Sequence, residues 1–337
     1  MDTSPGGQPE GQPRGQQGVR LHVVTGKGGT GKTTVAGSLA LALASGGQKV
    51  LLCEVEGRQG IASIFDVAPL PYAERRVAVG SDGGEVHALA IDAEAALLEY
   101  LDMFYRLGRA GRTLDRFGVI DFATTVAPGL RDVLLTGKVF EATRRAEGGR
   151  PSYDAVVLDG PPTGRIARFL NVNSEVAGIA KVGPVRRQAD SIMKLLRSAQ
   201  TRVHLVTSLE EMPVQETLAA LVELDAIGLA VGTVVVNLAR SAQLSDEQLA
   251  QAASGGLDRT RIEAALKDAG LHADEAAVDG LVKIGREHAE RMELERSQRE
   301  RLTAAWRPVV ELARLADGMD MGGLYELADT LCSSGEF

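Results

Sequence analysis

The sequence GKGGTGKTT, at Gly26–Thr34, is the strongest indication of the fold in this 337-residue chain. It follows an apolar run, Val19–Val24, and it precedes an apolar helical pattern, Val35–Ala44. Its glycines and its Lys32–Thr33 pair fit the pattern G-x-x-x-x-G-K-[ST], and the order strand, glycine loop, helix is the context that this pattern requires. The stretch therefore predicts a phosphate-binding loop rather than a flexible glycine segment with incidental lysines.

The residue types of this loop suit phosphate chemistry. Glycines let the backbone wrap closely, so that its N–H groups point at phosphate oxygens, and the helix N-terminus adds partial positive charge. Lys32 reaches the outer phosphates, and the Thr33 hydroxyl can bind Mg²⁺. Lys27, directly after the first glycine, is not needed by the pattern, and it marks one branch of phosphate-loop proteins.

Short apolar runs rich in β-branched residues recur along the chain and alternate with helical patterns. This alternation predicts an α/β fold with a doubly wound, mostly parallel sheet covered on both faces. Ligands bind at the carboxyl ends of such strands, where the loops Gly26–Thr34, Glu54–Gly60 and Asp159–Arg165 would converge. The predicted strands are Arg20–Val24, Lys49–Val55, Val86–Ile91, Ala155–Leu158, Val203–Thr207, Gly232–Val236 and Pro308–Leu312.

Long helical stretches interrupt the alternation of strands and helices. Helix-like periodicity covers about 92–150, 170–200 and 240–303, and it predicts a helical subdomain within one phosphate-loop domain over 19–337. The apolar faces of such helices usually belong to the core, and a client-binding groove is the less common alternative. Residues 1–18 are rich in Gly, Pro and Gln and predict a disordered tail.

Composition excludes several classes of function. Lys and Arg number 37 against 45 Asp and Glu, so a net charge of −8 leaves no broad surface for nucleic acid or anionic lipid. The two cysteines, Cys53 and Cys332, form no C-x-x-C pair, so we expect no zinc site, iron–sulfur cluster or disulfide framework. Without a secretory signal or an apolar stretch that could span a membrane, the chain is expected to be cytoplasmic.

Two acidic residues follow predicted strands close to the loop. Asp159 ends the run VVLD, as does the acid that holds a Mg²⁺-bound water in phosphate-loop enzymes; the alternative is a helix cap or turn residue. The loop Gly160–Gly164 behind it could sense a terminal phosphate through its backbone. Glu56 leaves another strand and could orient the attacking water or be a surface glutamate, and periodicity does not separate these alternatives.

Together these segments resemble one family. The Gly26–Thr34 loop with its early lysine, the Glu56 loop and DGPPTGRIARFL at 159–170 are similar to the arsenical-pump ATPase and tail-anchored-protein targeting factor family of deviant Walker A ATPases. APGLRDVLLTGKVF, at 127–140, resembles the family's Pro-Gly-hydrophobic-Asp helix opening, and Asn237 resembles its adenine-reading asparagine. The Glu56 loop and 127–140 look most similar to an actinobacterial branch of anion-transporting ATPases, often encoded as two paralogues.

The resemblance implies a dimer that is gated by ATP and Mg²⁺. Lys27 would cross the interface to the partner's ATP, as an arginine finger does, and Thr34 would lie on the α-phosphate side. The implied catalytic residues are Lys27, Lys32, Glu56 and Asp159, and the implied metal ligands are Thr33 and Asp159. The implied nucleotide-binding residues are Gly26, Lys27, Gly28, Gly29, Thr30, Gly31, Lys32, Thr33, Thr34 and Asn237.

The chain departs from the family pattern around the catalytic acid. Glu56 stands where the family usually has Asp, Gln59 where it has its first-switch histidine, and Arg165 where a histidine follows Pro-Thr-Gly; Asp159-Gly-Pro-Pro replaces Asp-Thr-Ala-Pro. A misplacement of one ångström can cost roughly a hundredfold in rate. The sequence therefore predicts ATP binding with slow hydrolysis.

Sequence also bears on which member of the class this is. Arsenite activation needs gathered thiolates, so we expect neither a metalloid nor a zinc site. The acidic C-terminal segment 324–337 supplies no basic DNA surface and no membrane-binding tail, and methionines are few in the candidate groove helices. Two functions remain: a slow ATPase acting on a transporter or hydrophobic client, or an ATP-binding regulatory subunit paired with a more active paralogue. The partner would be a second copy or that paralogue.

Overall fold

The computed structural model describes residues 18–105, 128–179, 184–316 and 318–337. The predicted disordered tail lies outside these residues except for Gly18. The described elements are β1 (Leu21–Gly26), α1 (Lys32–Ser45), β2 (Lys49–Glu54), α2 (Gly60–Ile64), β3 (Arg75–Val79), β4 (Glu85–Ala90), α3 (Ala93–Tyr105), α4 (Pro128–Arg144), β5 (Ala146–Glu147), β6 (Arg150–Pro151), β7 (Ala155–Asp159), α5 (Thr163–Ile179), α6 (Pro184–Leu196), β8 (Thr201–Thr207), α7 (Glu211–Ala226), β9 (Val231–Ala239), α8 (Asp246–Ser254), α9 (Arg259–Asp268), α10 (Glu275–Thr303), β10 (Val309–Ala313) and α11 (Met321–Ser334).

Eight strands form one sheet in the order β10-β9-β8-β1-β7-β2-β4-β3. Seven of them run parallel, and β3 pairs antiparallel with β4 at one edge. The α/β fold class with a mostly parallel sheet is confirmed, and all seven predicted strands are present with ends that shift by at most three residues. The edge strand β3 was missed, because its two leading arginines break the apolar pattern of a buried strand.

Both faces of the sheet are buried, because successive side chains along each strand point to opposite faces. Val23, Leu51 and Leu158 belong to one apolar cluster, which is built with residues of α4 to α7. Their neighbours Val24, Leu52 and Val157 belong to the other, which is built with residues of α1, α2 and α11. Continuous apolar strands of this kind are typical of parallel sheets covered by helices on both sides.

The strand order reverses direction at β1, which lies between β7 and β8. From β1 the chain crosses over β7 to β2 on one side, and later strands build outward from β8 on the other. Open α/β sheets bind ligands at such a switch point, beyond the carboxyl ends of the strands. The loop Gly26–Thr34 begins there.

Helices occupy most of the described parts of the three stretches predicted as helical, but the end of the first stretch forms the short hairpin of β5 and β6 instead. The helices are α3 and α4, the end of α5 with α6, and α8 to α10. That they form a subdomain of their own stays a prediction, and part of the first stretch, 106–127, lies outside the described residues. Among the described helices, none combines the length and apolarity needed to cross a membrane.

Candidate nucleotide site

The loop after β1 is fixed by hydrogen bonds to its own backbone and to β8. The Thr30 hydroxyl donates to the Lys27 carbonyl oxygen at 2.9 Å and lies 3.3 Å from the Val206 carbonyl oxygen. Gly29 and Gly31 have φ angles of 89° and 85°, in the left-handed region that favours glycine. The loop therefore keeps its shape through contacts within this chain.

Two glycines of the loop have backbone atoms or side chains pressed against them. A Cβ atom at Gly26 would lie 2.1 Å from the Val206 carbonyl oxygen, and one at Gly31 would lie 2.2 Å from Asn237 Nδ2. At Gly28 and Gly29, by contrast, no described atom lies within 4 Å of such a Cβ. Gly26 and Gly31 are thus required for packing, whereas Gly28 and Gly29 leave the loop open to an approaching ligand.

Asn237 supports the loop from the far side. It is buried in β9, and its Nδ2 atom donates to the Thr30 carbonyl oxygen at 2.9 Å. Sequence resemblance predicted that this asparagine reads adenine, and that role stays a prediction. Its described contact gives it a structural role in addition, since it ties β9 to the turn that precedes α1.

Thr33 and Asp159 meet across 126 residues of sequence. The Thr33 hydroxyl donates to Asp159 Oδ2 at 2.6 Å, while Asp159 Oδ1 is buried and has no hydrogen-bond partner among the described residues. Burial raises the pKa of Asp159 to about 6, against the opposing effects of the Thr33 hydrogen bond and the Lys32 charge. The Thr33 hydroxyl oxygen and Asp159 Oδ1, which accepts no described hydrogen bond, are oxygen ligands that fit Mg²⁺ or a water bound to it.

Glu54 is a second buried carboxylate at this edge of the sheet, and no role was predicted for it. It ends β2 beside Asp159, its register partner on β7. It accepts hydrogen bonds from the backbone N–H groups of Gln59 at 2.6 Å and Ile61 at 3.0 Å. The only sequence signal was an acid closing a central strand. Glu54 holds the turn into α2, which places Gly60 against the Thr33 side chain.

Gln59, which the resemblance places where the family has its first-switch histidine, bonds to its own chain. It has a φ of 56°, and its side-chain amide pairs with the backbone of Leu70 in both directions, at 3.1 Å and 2.7 Å. These two hydrogen bonds close the loop between β2 and β3. The glutamine therefore has a described role in holding the loop.

Glu56 lies in a cleft of about 750 Å³ between the β2–α2 loop, the starts of α3 and α4, and the β7–α5 loop. Its carboxylate oxygens are 3.6 Å from Arg165 Nη1 and 3.7 Å from Arg58 Nη2. Arg165 also lies 3.6 Å from Asp132 on α4, whose pKa is raised by burial. Arg165 therefore joins the predicted catalytic acid to α4, a connection that sequence spacing did not indicate.

Lys27 makes the closest described ion pair of the loop. Its Nζ atom lies 2.6 Å from Glu216 Oε1 on α7, and Glu216 Oε2 accepts a hydrogen bond from the Thr163 hydroxyl at 3.1 Å. The hydrogen bond from Lys27 is the main cause that lowers the pKa of Glu216. Glu216 was missed because it lies in a regular helical pattern, 189 residues from its partner.

The fold thus brings Lys27, Lys32, Thr33 and Asp159 together at the carboxyl end of β1 and β7, and Thr34 lies in the first turn of α1. The individual roles assigned to the loop residues stay predictions. The two cysteines lie in separate elements, since Cys53 is buried in β2 and Cys332 lies on α11, 3.3 Å from the Ala42 carbonyl oxygen.

Comparison with known proteins gives matches over the same region. A family model described as anion-transporting ATPase matches residues 19–199. ATPase BagA of Mycobacterium tuberculosis strain H37Rv is 53% identical over 334 residues, which cover 99% of this chain and 98% of that protein. A Prosthecochloris vibrioformis protein named as a candidate arsenical pump-driving ATPase is 25% identical over 276 residues, 67% of this chain and 62% of its own. A Halobacterium salinarum protein of the same description is 27% identical over 237 residues, 65% of this chain and 35% of its own.

Proposed function

This chain belongs to the anion-transporting ATPase family, and we propose that it is a Mg²⁺-dependent, slowly ATP-hydrolysing dimeric switch. Closure of the dimer on ATP would act on a membrane transporter or a hydrophobic client in the cytoplasm. The observation that carries the proposal is the pair Thr33 and Asp159, with one buried carboxylate oxygen still lacking a donor, directly behind the loop that holds Lys32.

Each residue has a part in this proposal. The backbone N–H groups of Gly26–Thr34 and the start of α1 would bind the phosphates, and Lys32 would neutralise charge on the outer ones. Thr33 and Asp159 would hold Mg²⁺, which supplies further neutralisation of phosphate charge when bound. Glu56 would orient the attacking water from the neighbouring loop.

Slow turnover follows from how Glu56 is held. Its carboxylate lies 3.6 Å from Arg165 and 3.7 Å from Arg58, and these two cationic neighbours restrain it to one side of the cleft. Its side chain is also one methylene longer than the family's aspartate. To orient a water at the phosphate, the Glu56 side chain would have to separate from Arg165 or move together with it.

Exchange of Glu56 for glutamine tests this assignment. We expect Glu56→Gln to lower the rate of phosphate release by about tenfold to a hundredfold, because the amide cannot accept a proton. ATP affinity should stay unchanged, as measured by titration calorimetry. Glu147→Gln, on the exposed β5–β6 hairpin, is the matched control. Equal rates in Glu56→Gln and the control would remove Glu56 from the reaction.

A second candidate function is an ATP-binding regulatory subunit that turns over little and pairs with a paralogous ATPase. The contacts of Arg165 with both Glu56 and Asp132 favour it, because they restrain the acid that hydrolysis needs. Mg²⁺-dependent phosphate release by the purified protein, alone and mixed with the paralogue, separates the two functions. Turnover by the isolated chain supports the first, and turnover only in the mixture supports the second.

Lys27 is proposed to act across the dimer interface. We expect Lys27→Ala to weaken association driven by a non-hydrolysable ATP analogue by at least about tenfold, because the partner's phosphates lose a neutralising charge. Nucleotide affinity of the monomer should stay the same. Light scattering and sedimentation measure the association, with Lys283→Ala as the control because the Lys283 side chain is exposed on α10. A Lys27→Ala protein that associates as the control does would contradict the cross-interface role.

The transporter or client is the partner that this proposal leaves to experiment. Affinity purification from native cells, with the protein held in its ATP-bound form by the same analogue, provides candidates. A partner that belongs to the switch should be recovered with the analogue and released with ADP. Candidates recovered equally with both nucleotides do not respond to the proposed closure.

A further inference from the structure

Glu216 is the residue whose position the predicted chemistry of the site leaves unexplained. It projects from the second turn of α7, which follows β8, and it reaches across to the phosphate loop. Its Oε1 atom accepts a hydrogen bond from the Lys27 ammonium group at 2.6 Å, and its Oε2 atom accepts one from the Thr163 hydroxyl at 3.1 Å. A single carboxylate therefore joins the loop after β1 to the start of α5.

Thr163 gives this carboxylate a connection to the loop after β7. It is the first residue of α5 and follows Pro161 and Pro162, directly behind Asp159. The Pro161 carbonyl oxygen accepts a hydrogen bond from the Thr25 hydroxyl at 2.6 Å. Residues 160–163 are thus hydrogen-bonded to β1 through Pro161 and to Glu216 through Thr163.

We propose that Glu216 is a positioning residue that holds Lys27 on its own subunit until the partner's ATP competes for it. This inference rests on the proposed cross-interface role of Lys27. The contact with Thr163 makes the hold depend on the 160–163 loop: a movement of that loop toward a terminal phosphate would remove one of the two contacts that fix the Glu216 carboxylate. Lys27 would then be released more easily.

The ion pair between Lys27 and Glu216 is weak enough to be broken when the partner's ATP binds Lys27. The side chains of Lys27 and Glu216 are 29% and 36% exposed, so water screens their attraction. An exposed ion pair of this kind changes an equilibrium constant by up to about fivefold. A symmetric dimer requires the release of two such lysines, so removal of Glu216 would tighten ATP-dependent association by up to about 25-fold. In a heterodimer, where this chain supplies one lysine, the limit would be about fivefold.

Glu216→Gln is the variant that tests the hold, because it removes the charge and keeps an oxygen for Thr163. We expect it to tighten association in the presence of a non-hydrolysable ATP analogue, measured by sedimentation, with unchanged nucleotide affinity in the monomer. Glu223→Gln is the matched control, since Glu223 is an exposed glutamate of the same helix and makes no described contact with the loop. If the wild type associates with the analogue and Glu216→Gln associates equally, the proposal is overturned.

The same substitution in a Lys27→Ala background separates a positioning role from a general effect of charge. If Glu216 acts through Lys27, Glu216→Gln should change association little once the lysine is absent. Tightening that persists without Lys27 would overturn the proposal. Thermal unfolding of all four proteins shows whether any change comes from lost stability.

Acylation of Lys27 distinguishes failure of this inference from failure of the dimer proposal. The wild type and Glu216→Gln are treated briefly with an amine-acylating reagent, and Lys27 labelling is quantified by mass spectrometry in the absence of nucleotide. We expect labelling to rise by about twofold or more in Glu216→Gln, and no rise would overturn the hold. Increased labelling together with a wild type that never associates with ATP, alone or with the paralogue, would instead overturn the dimer proposal.

Discussion

Replacement of Lys32 by alanine is expected to reduce Mg²⁺-dependent phosphate release from ATP by at least about a hundredfold. A loss of this size is typical when one preorganised hydrogen-bond donor is removed from a catalytic site. Lys32 is the residue of the loop whose ammonium group can follow charge onto the outer phosphates. It also stabilises the ionised form of Asp159, since its charge lowers the pKa of a carboxyl that burial raises to about 6. Its removal therefore weakens phosphate and metal binding together.

The measurement is phosphate release at saturating ATP, with and without a chelator of Mg²⁺. Lys283→Ala serves as the control because the Lys283 side chain is exposed on α10, and the rate of this variant should equal that of the wild type. Fluorescent-nucleotide titration should show weakened binding in Lys32→Ala alone. A Lys32→Ala protein with the wild-type rate would contradict the proposed ATPase site, because the measured hydrolysis would then come from elsewhere.

The fold could be predicted from the sequence because its signals are local. Runs such as Lys49–Glu54 and Ala155–Asp159 are short and mostly apolar on both faces, which is typical of buried parallel strands, and the glycine loop indicated the order of the first strand and helix. β3 could not be predicted in the same way. It is an edge strand that begins with Arg75 and Arg76, and its pairing with β4 provides the evidence that it is a strand.

The site residues that belong to a local motif could likewise be predicted, whereas those outside a motif could not. Thr33 and Asp159 were predicted as ligands of Mg²⁺ because each belongs to a motif with a fixed order of strand and loop, and the structure brings their side chains to 2.6 Å. Glu216 and Asp132 carry no motif. Their contacts join helices to loops across long sequence separations, and the helical patterns around them read as ordinary amphipathic segments. Asn237 is intermediate, since resemblance found the residue but not its bond to Thr30.

Gly26→Ala is the second substitution with a large expected effect, because its cause is a collision with backbone. Gly26 pairs with Val206 on the adjacent strand β8, and a Cβ atom there would lie 2.1 Å from the Val206 carbonyl oxygen. A flexible side chain could rotate away from such a contact, but a carbonyl inside the central sheet cannot. Overpacking of a rigid core costs typically 1–3 kcal/mol and occasionally more, so we expect a loss of about 3 kcal/mol in the free energy of unfolding.

Gly28→Ala is the matched control for stability, since it is the same substitution two residues further along the same loop. No described atom lies within 4 Å of the Cβ atom it would add, and the φ angle of Gly28 is outside the left-handed region. Its midpoint of unfolding in urea should therefore stay close to that of the wild type, whereas that of Gly26→Ala should fall clearly. Equal midpoints in the two variants would mean that β1 and β8 can separate at the loop without cost. The first glycine would then matter for its approach to phosphate alone, and its requirement would have to be sought in nucleotide affinity rather than in the packing of the sheet.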